Sequence, residues 1–281
     1  PDSFTLGALA AQVAAERGLK LTLFHVHHGL QPLADAWAAQ VQALAAALGV
    51  PHDSRRVAVA GQDAEGLEAS ARRARYQALA DMARQAGVAC VLLGHHLDDQ
   101  AETVLLRLLR GAGPDGMGAM AMRSERGGIT YVRPWLELER AGILAAAQAL
   151  STQLGIALAD DPTNLDPRFA RGALRARVLP AIAAHWPGYR ATLARFARLA
   201  GSSADVLAEV AAADLRELLR PHPAYGDTLD LDGWRALSSA RRALALRAWL
   251  ARQAVAMPSE ARLAQMCEQL HRAAPDRQVL L

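Results

Sequence analysis

Lysine is nearly missing from this 281-residue chain: Lys20 is the only one, and arginine supplies the rest of its fixed positive charge. Alongside abundant alanine, that bias reads as genomic base composition and names no partner. Cysteine is scarce too. Cys90 and Cys267 are the whole complement, which excludes a disulfide framework and any Cys-x-x-Cys redox or metal pair and suits a reducing compartment. No apolar run approaches the roughly 20 residues of a membrane span, and no leader is recognisable. A cytoplasmic protein without membrane contact is expected. Acidic residues are absent from one long stretch. Between Pro167 and Ala204 there is no Asp or Glu, while Arg168, Arg171, Arg175, Arg177, Arg190, Arg195 and Arg198 fall inside it, interleaved with Phe169, Trp186, Tyr189 and Phe196. A charge run is usually a solvated face, but one stripped of counter-charge is the footprint expected for a polyanion, so nucleic acid is favoured.

What is present organises into two parts. With 52% hydrophobic residues and a net charge of only +3, the chain can bury a sizeable core and reads as two domains. Strand and helix patterns alternate through the first two-thirds: helix over 4–17, strand 21–26, helix 36–48, a short strand 56–59, helix 66–85, strand 88–93, helix to about 110, strand 129–132 and helix 141–154. This alternation predicts an α/β fold, a parallel sheet with helices on both faces. The Gly- and Met-rich stretch 111–118 is long for a connector and reads as a mobile segment near the site. Beyond Asp160 strand signals nearly vanish, helical patterns cover 174–213 and 240–273, and Pro221-His222-Pro223 marks a hinge between them. The expected boundary separates a domain over 1–204, including the basic segment, from a smaller, mainly helical one over 205–281. No internal repeat is present.

The densest chemistry is the run Gly94-His95-His96-Leu97-Asp98-Asp99-Gln100-Ala101-Glu102-Thr103, where a buried strand hands over to an amphipathic helix. Ligands of open α/β sheets bind at that carboxyl edge. One N-cap acid would suffice for the helix start, so His95, His96, Asp98, Asp99 and Glu102 together exceed structural need. Pro1-Asp2-Ser3 enters a helix at once. Capping is the favoured reading of Asp2 and Ser3, with an anion site at that helix start as the alternative, and a strand and loop are expected ahead of it. His25, His27 and His28 close the second strand; a polar rim over a nucleotide pocket is favoured there over a transition metal. Glu68 and Arg72 suit an intrahelical ion pair, but Arg72 and Arg75 side by side exceed that need and suit a carboxylate or phosphate ligand.

Together with Val26-His27-His28-Gly29-Leu30, Arg133-Pro134-Trp135-Leu136 and Asp161-Pro162-Thr163-Asn164, these blocks resemble the tRNA(Ile)-lysidine synthases, a family of the N-type ATP pyrophosphatase (PP-loop) superfamily. The resemblance implies ATP-dependent ligation of L-lysine to the wobble cytidine of a CAU-anticodon tRNA(Ile) through an adenylated cytidine, with release of AMP and diphosphate. It assigns Asp2, Asp99 and Glu102 to catalysis, Asp2, Ser3, His27, His95 and His96 to ATP, and Asp2 to Mg²⁺. Arg72, Arg75, Asp98, Asp99 and Glu102 would bind lysine or hold phosphates. Arg168, Arg171, Arg175, Arg177, Arg195 and Arg198 would bind tRNA, the 205–281 domain would contact it further, and a homodimer is left open. Only Pro1-Asp2-Ser3 matches the family's Ser-Gly-Gly-x-Asp-Ser loop, so the glycines are expected ahead of the chain. Gly172 stands where the family usually has asparagine, and the family commonly continues past a position like Leu281. The rivals are a metal-dependent phosphoesterase using the His and Asp clusters, and a non-catalytic tRNA-binding relative. A 2-thiolation activity is disfavoured by the missing Cys-x-x-Cys pairs.

Overall fold

A computed structural model describes residues 1–29, 33–58, 66–159 and 166–273. The 160–165 stretch, with its Asp-Pro-Thr-Asn motif, and the Glu68 side chain lie outside the described residues, so the expected Glu68–Arg72 pair is not among the observations. Two compact units result, Pro1–Arg198 and Leu199–Leu281.

The first unit opens with α1 (Asp2–Arg17), β1 (Leu23–His27), α2 (Ala34–Leu48), β2 (His52–Arg56), α3 (Leu67–Gln85), β3 (Cys90–Leu92) and α4 (Leu97–Leu109). It continues through the short α5 (Pro114–Met117), β4 (Arg123–Arg126), β5 (Ile129–Val132) and α6 (Arg140–Leu154). Then come α7 (Ala170–Ala173), a π-helical turn over Leu174–Val178, α8 (Leu179–His185) and the start of α9 (Tyr189–Leu218). Gly18 ends α1 in the left-handed conformation (φ 63°), its N–H returning to the last turn, as a helix stop built on glycine does.

The parallel pairing is present, but the sheet is in two pieces. β1 pairs with β2, and β3 with β5, both parallel, while β4 adds antiparallel to β5. A groove of about 440 Å³ runs between Leu23-Phe24-His25 of β1 and Cys90-Val91-Leu92 of β3. Helices cover both faces, and the alternation of β1 states it directly. Leu23 packs with Phe4, Leu44 and Leu150 of α1, α2 and α6. Phe24 and Val26 pack with Tyr76, Leu79 and Met82 of α3, together with Val91, Leu93 and Tyr131.

Four expectations are corrected. The strand expected at 56–59 lies at His52–Arg56, because β2 is an edge strand whose polar residues carry no apolar pattern. β4, Arg-Ser-Glu-Arg, escaped for the same reason, although Gly127-Gly128 marks its turn into β5. The 111–118 stretch is tied down rather than loose. The Arg107 guanidinium donates to the carbonyls of Gly116 and Ala119, and the Gln100 amide makes two backbone bonds with Met120, of 2.8 and 3.0 Å. In the second unit, Pro221-His222-Pro223 is no hinge but part of a hairpin of β6 (Leu219–His222) and β7 (Gly226–Leu229).

The hairpin precedes α10 (Leu231–Ala236), α11 (Ser239–Arg252) and α12 (Glu260–Arg272), whose starts are capped by the side chains of Asp230, Ser238 and Ser259. Trp234 is fully buried against Leu218 and Ala245, and its indole N–H donates to the Arg242 carbonyl at 2.9 Å. Among the described residues no helix is long and apolar enough to cross a membrane. Replacing Trp234 with alanine is expected to destabilise the second unit by about 3–5 kcal/mol, read as a lowered urea midpoint; an unchanged midpoint would contradict this core.

Candidate active site

The site is built around the first turn of α4. Its N-cap, His96, is 2% exposed, and the His96 backbone N–H donates to the Asp99 carboxylate at 3.2 Å. Helical spacing then puts Asp98 and Glu102 four apart on one side, with Asp99 adjoining. All three acids meet guanidinium groups from the basic stretch. Arg175 grips Glu102 through two bonds, of 2.6 and 2.9 Å, and reaches Asp99 at 3.3 Å. Arg171 stands 3.3 Å from Glu102 and donates to the Thr103 hydroxyl. Arg190 donates to Asp98 at 2.6 Å, while the other oxygen of Asp98 accepts the Arg140 backbone N–H at 3.0 Å. Burial pushes the Asp98 carboxyl up, but the Arg140 N–H and the Arg190 guanidinium outweigh it and hold it below the ordinary range.

Asp2 and Ser3, at the start of α1, adjoin this turn. A Cβ on Gly94 would come within 3.3 Å of Asp2 and Ser3 backbone atoms, so glycine lets the end of β3 approach the free N–H groups of α1. The Asp2 carboxylate lies 3.9 Å from His96 Nε2 and 3.7 Å from Arg140 Nε. Its buried Oδ1 has no hydrogen-bond partner, which fits a cation ligand.

On the other side of Arg171 is a pocket of about 210 Å³ lined by His28, Arg72, Arg75, Tyr76, His95 and Arg171. No carboxylate is among its described lining residues. Burial, with Arg75, Arg133, Arg72 and Arg171 nearby, pushes His95 down to about 3, so it is a neutral imidazole. Burial likewise lowers His25 and His28. Desolvation also lowers Arg75, against the pull of Tyr76 and Asp99, without discharging it at neutral pH. The result is a cationic, anion-accepting pocket one arginine away from three carboxylates. Several buried polar atoms around the site make no hydrogen bond, among them His25 Nε2, His28 Nδ1 and His95 Nδ1, while Asp2 Oδ1 and Arg171 Nε make only their ion pairs with Arg140 and Glu102. Such groups are rare in a finished core.

Several expected site residues make contacts that their order in the chain does not suggest. His27 lines neither of these two cavities: its Nδ1 accepts from the Gly29 N–H and its Nε2 bonds Asp35 at 2.9 Å, at the exit of β1, while His28 and His25 line the openings. His96 is packed beneath the carboxylates and lines neither cavity, whereas His95 does line the pocket. Arg171 and Arg175, expected on a tRNA surface, turn inward, because the buried Glu102, whose side chain is 3% exposed, demands counter-charge. Arg177, Arg195 and Arg198 are exposed, and Arg168 is exposed in a pair with Asp166. Arg140 and Arg190 join the site without having been singled out for it. Arg190 carried a signal as part of the basic run; Arg140 carried none. Among the described residues no group of three or more His, Cys, Asp or Glu could hold a metal ion.

The neutral His95 has a measurable consequence. Between the unfolded value of 6.5 and the folded value of about 3 the unfolded chain binds the extra proton and the folded one does not, so stability falls as pH drops through that window. From about pH 7.5 to about pH 5 the chain is expected to lose about 1–2 kcal/mol more than a His95→Gln variant in urea unfolding, and equal losses would exclude His95 as the cause.

Residues 1–182 match the PP-loop domain and residues 229–281 the TilS substrate binding domain. A tRNA(Ile)-lysidine synthase of Bordetella bronchiseptica is 56% identical over 263 residues, 94% of this chain and 76% of that protein. One from Ralstonia nicotianae is 45% identical over 94% of this chain and 55% of its own length. Among solved structures, the U34-tRNA thiolase NcsA from Methanococcus maripaludis with its [4Fe-4S] cluster shares the fold, with a TM-score of 0.55 at 13% identity over 70% of this chain and 69% of that one. With the two matched domains in order along the chain and an acid-and-arginine centre inside the first, the chain belongs to the tRNA(Ile)-lysidine synthase family of PP-loop proteins.

Proposed function

We propose that this chain is an ATP-using tRNA ligase that joins L-lysine to the wobble cytidine of a CAU-anticodon tRNA(Ile), releasing AMP and diphosphate, in the cytoplasm. The observation that supports the reading is the juxtaposition of three distinct parts: the α1 start with Asp2, the arginine-held carboxylates of α4, and a cationic pocket lined by Arg72, Arg75 and Arg171. A single small ion would not need all three. A nucleotide, an amino acid and a base together would.

In this reading the cytidine O2 attacks the α-phosphate of ATP and diphosphate leaves, and a lysine amine then displaces AMP from carbon 2. The free N–H groups of α1 at Asp2 and Ser3 hold phosphate. Mg²⁺, which neutralises charge in phosphate chemistry of this kind, would be held by Asp2. Free lysine is protonated at neutral pH and must lose a proton to attack. Asp99 and Glu102 face that amine and take the proton, while Arg72 and Arg75 hold its carboxylate in the cationic pocket. Neutral His95 adds a hydrogen-bonding wall without adding charge. The exposed Arg177, Arg195 and Arg198 track the RNA backbone, and the second unit contacts the tRNA further.

The full-length protein given ATP, lysine and a CAU-anticodon transcript is expected to release AMP and diphosphate in equal amounts, with the AMP dependent on lysine. ADP and phosphate as the main products would overturn the reading. Glu102→Gln is expected to lower lysine-dependent AMP release by about 10²-fold while tRNA affinity stays within about twofold; a matching loss of affinity would show that the helix start has collapsed. Arg195→Ala and Arg198→Ala should each reduce the slope of log affinity against log salt by about 1, whereas Arg175→Ala should leave that slope unchanged. A salt dependence that followed Arg175 instead would return that residue to the RNA surface.

A further inference from the structure

We infer that Arg190 is a positioning residue for lysine transfer, joining the first turn of α9 to the carboxylate-bearing first turn of α4 and, through Asp98, to the start of α6. It rests on the function proposed above and adds a residue that reading does not use. Of the arginines in the acid-free stretch, Arg190 is one of three turned inward, and it alone addresses Asp98.

The linkage has three joints. Arg190 Nε donates to Asp98 Oδ1 at 2.6 Å; Asp98 Oδ2 accepts the Arg140 N–H at 3.0 Å; and Arg140 Nε stands 3.7 Å from Asp2 Oδ1. A continuous series of polar contacts therefore runs from the basic helix α9, through the Arg140 backbone and side chain, to the helix start that would hold phosphate. Each end of the first joint is itself fixed. The Arg190 guanidinium lies 4.7 Å over the Tyr189 ring, and Tyr189 is buried with Ala101 of α4 and Leu174. Asp98 sits beside Asp99 and one helical turn before Glu102, so any rotation of the α4 start that follows loss of its anchor moves both proton-accepting carboxylates. One Asp98 oxygen accepts the Arg140 backbone N–H and the other the Arg190 guanidinium, so this carboxylate ties three elements together. It serves as the joint, and Arg190 sets it.

The test uses the full-length protein with saturating CAU-anticodon tRNA. Arg190→Ala is expected to lower kcat for lysine-dependent AMP release by about 10- to 100-fold, with the tRNA dissociation constant within about twofold of the parent and part of the rate restored by Arg190→Lys. Unchanged kcat would overturn the inference. So would tRNA affinity falling in step with kcat, because Arg190 would then be a phosphate contact. If the alanine variant does not fold, Arg190→Gln, which keeps one donor on a shorter stem, is held to the same two criteria. Parent protein without lysine-dependent AMP release would instead remove the proposed function, so the two failures are distinguishable.

Discussion

The pairing of Glu102 with Arg175 is the constraint around which the catalytic half is arranged. A carboxylate on a side chain only 3% exposed cannot stay ionised without close counter-charge, and Arg175 supplies it through two bonds at once. That demand fixes where the π-helical turn over Leu174–Val178 must lie against α4. Arg171 one turn earlier is thereby carried to Glu102 and the pocket wall, and Leu174 into a core with Ala101, Leu179 and Tyr189. A widened turn is a frequent feature of functional helices, and here it spans the residue that has to reach two acids.

Such a buried pair is weak evidence for stability, since its desolvation cost competes with its attraction. Its value is geometric. Held by planar guanidinium groups, the α4 carboxylates have defined directions before any substrate arrives. Arginine is the residue type these positions require. A single ammonium could not grip Glu102 bidentately while touching Asp99, and the same solution recurs in the second unit, where Arg241 holds the buried Asp214.

The sequence exposed the architecture wherever burial leaves a period. α1, α3, α4 and α6 lie close to their expected spans because apolar residues recur at helical spacing, and β5 because it is short, β-branched and buried. Edge strands left no such trace. β2 and β4 are polar because one side of each is wet, so their existence depends on neighbours that the local pattern does not mention. The 111–118 stretch misled in the opposite direction. Its glycines advertise freedom, while Arg107 of α4 bonds the Gly116 carbonyl within it, and Arg107 and Gln100 fix Ala119 and Met120 just beyond it.

By itself the sequence determined the α/β alternation, the acid-rich helix start after β3, the basic stretch without counter-charge and the family to which these blocks are alike. Those properties are local in the chain: periodicity, composition and residue order survive without coordinates. Only the tertiary structure decided which arginines are exposed and which face acids. Arg171, Arg175 and Arg190 are indistinguishable from Arg177 and Arg195 by type or spacing, and differ because α7 to α9 present one side to a buried acidic turn 68 to 92 positions earlier. The same holds for His27 and His28, adjacent imidazoles that strand alternation sends to opposite neighbours, one to Asp35 and one to the pocket. Charge partners are chosen by distance in the fold, and distance is the quantity that a sequence does not carry.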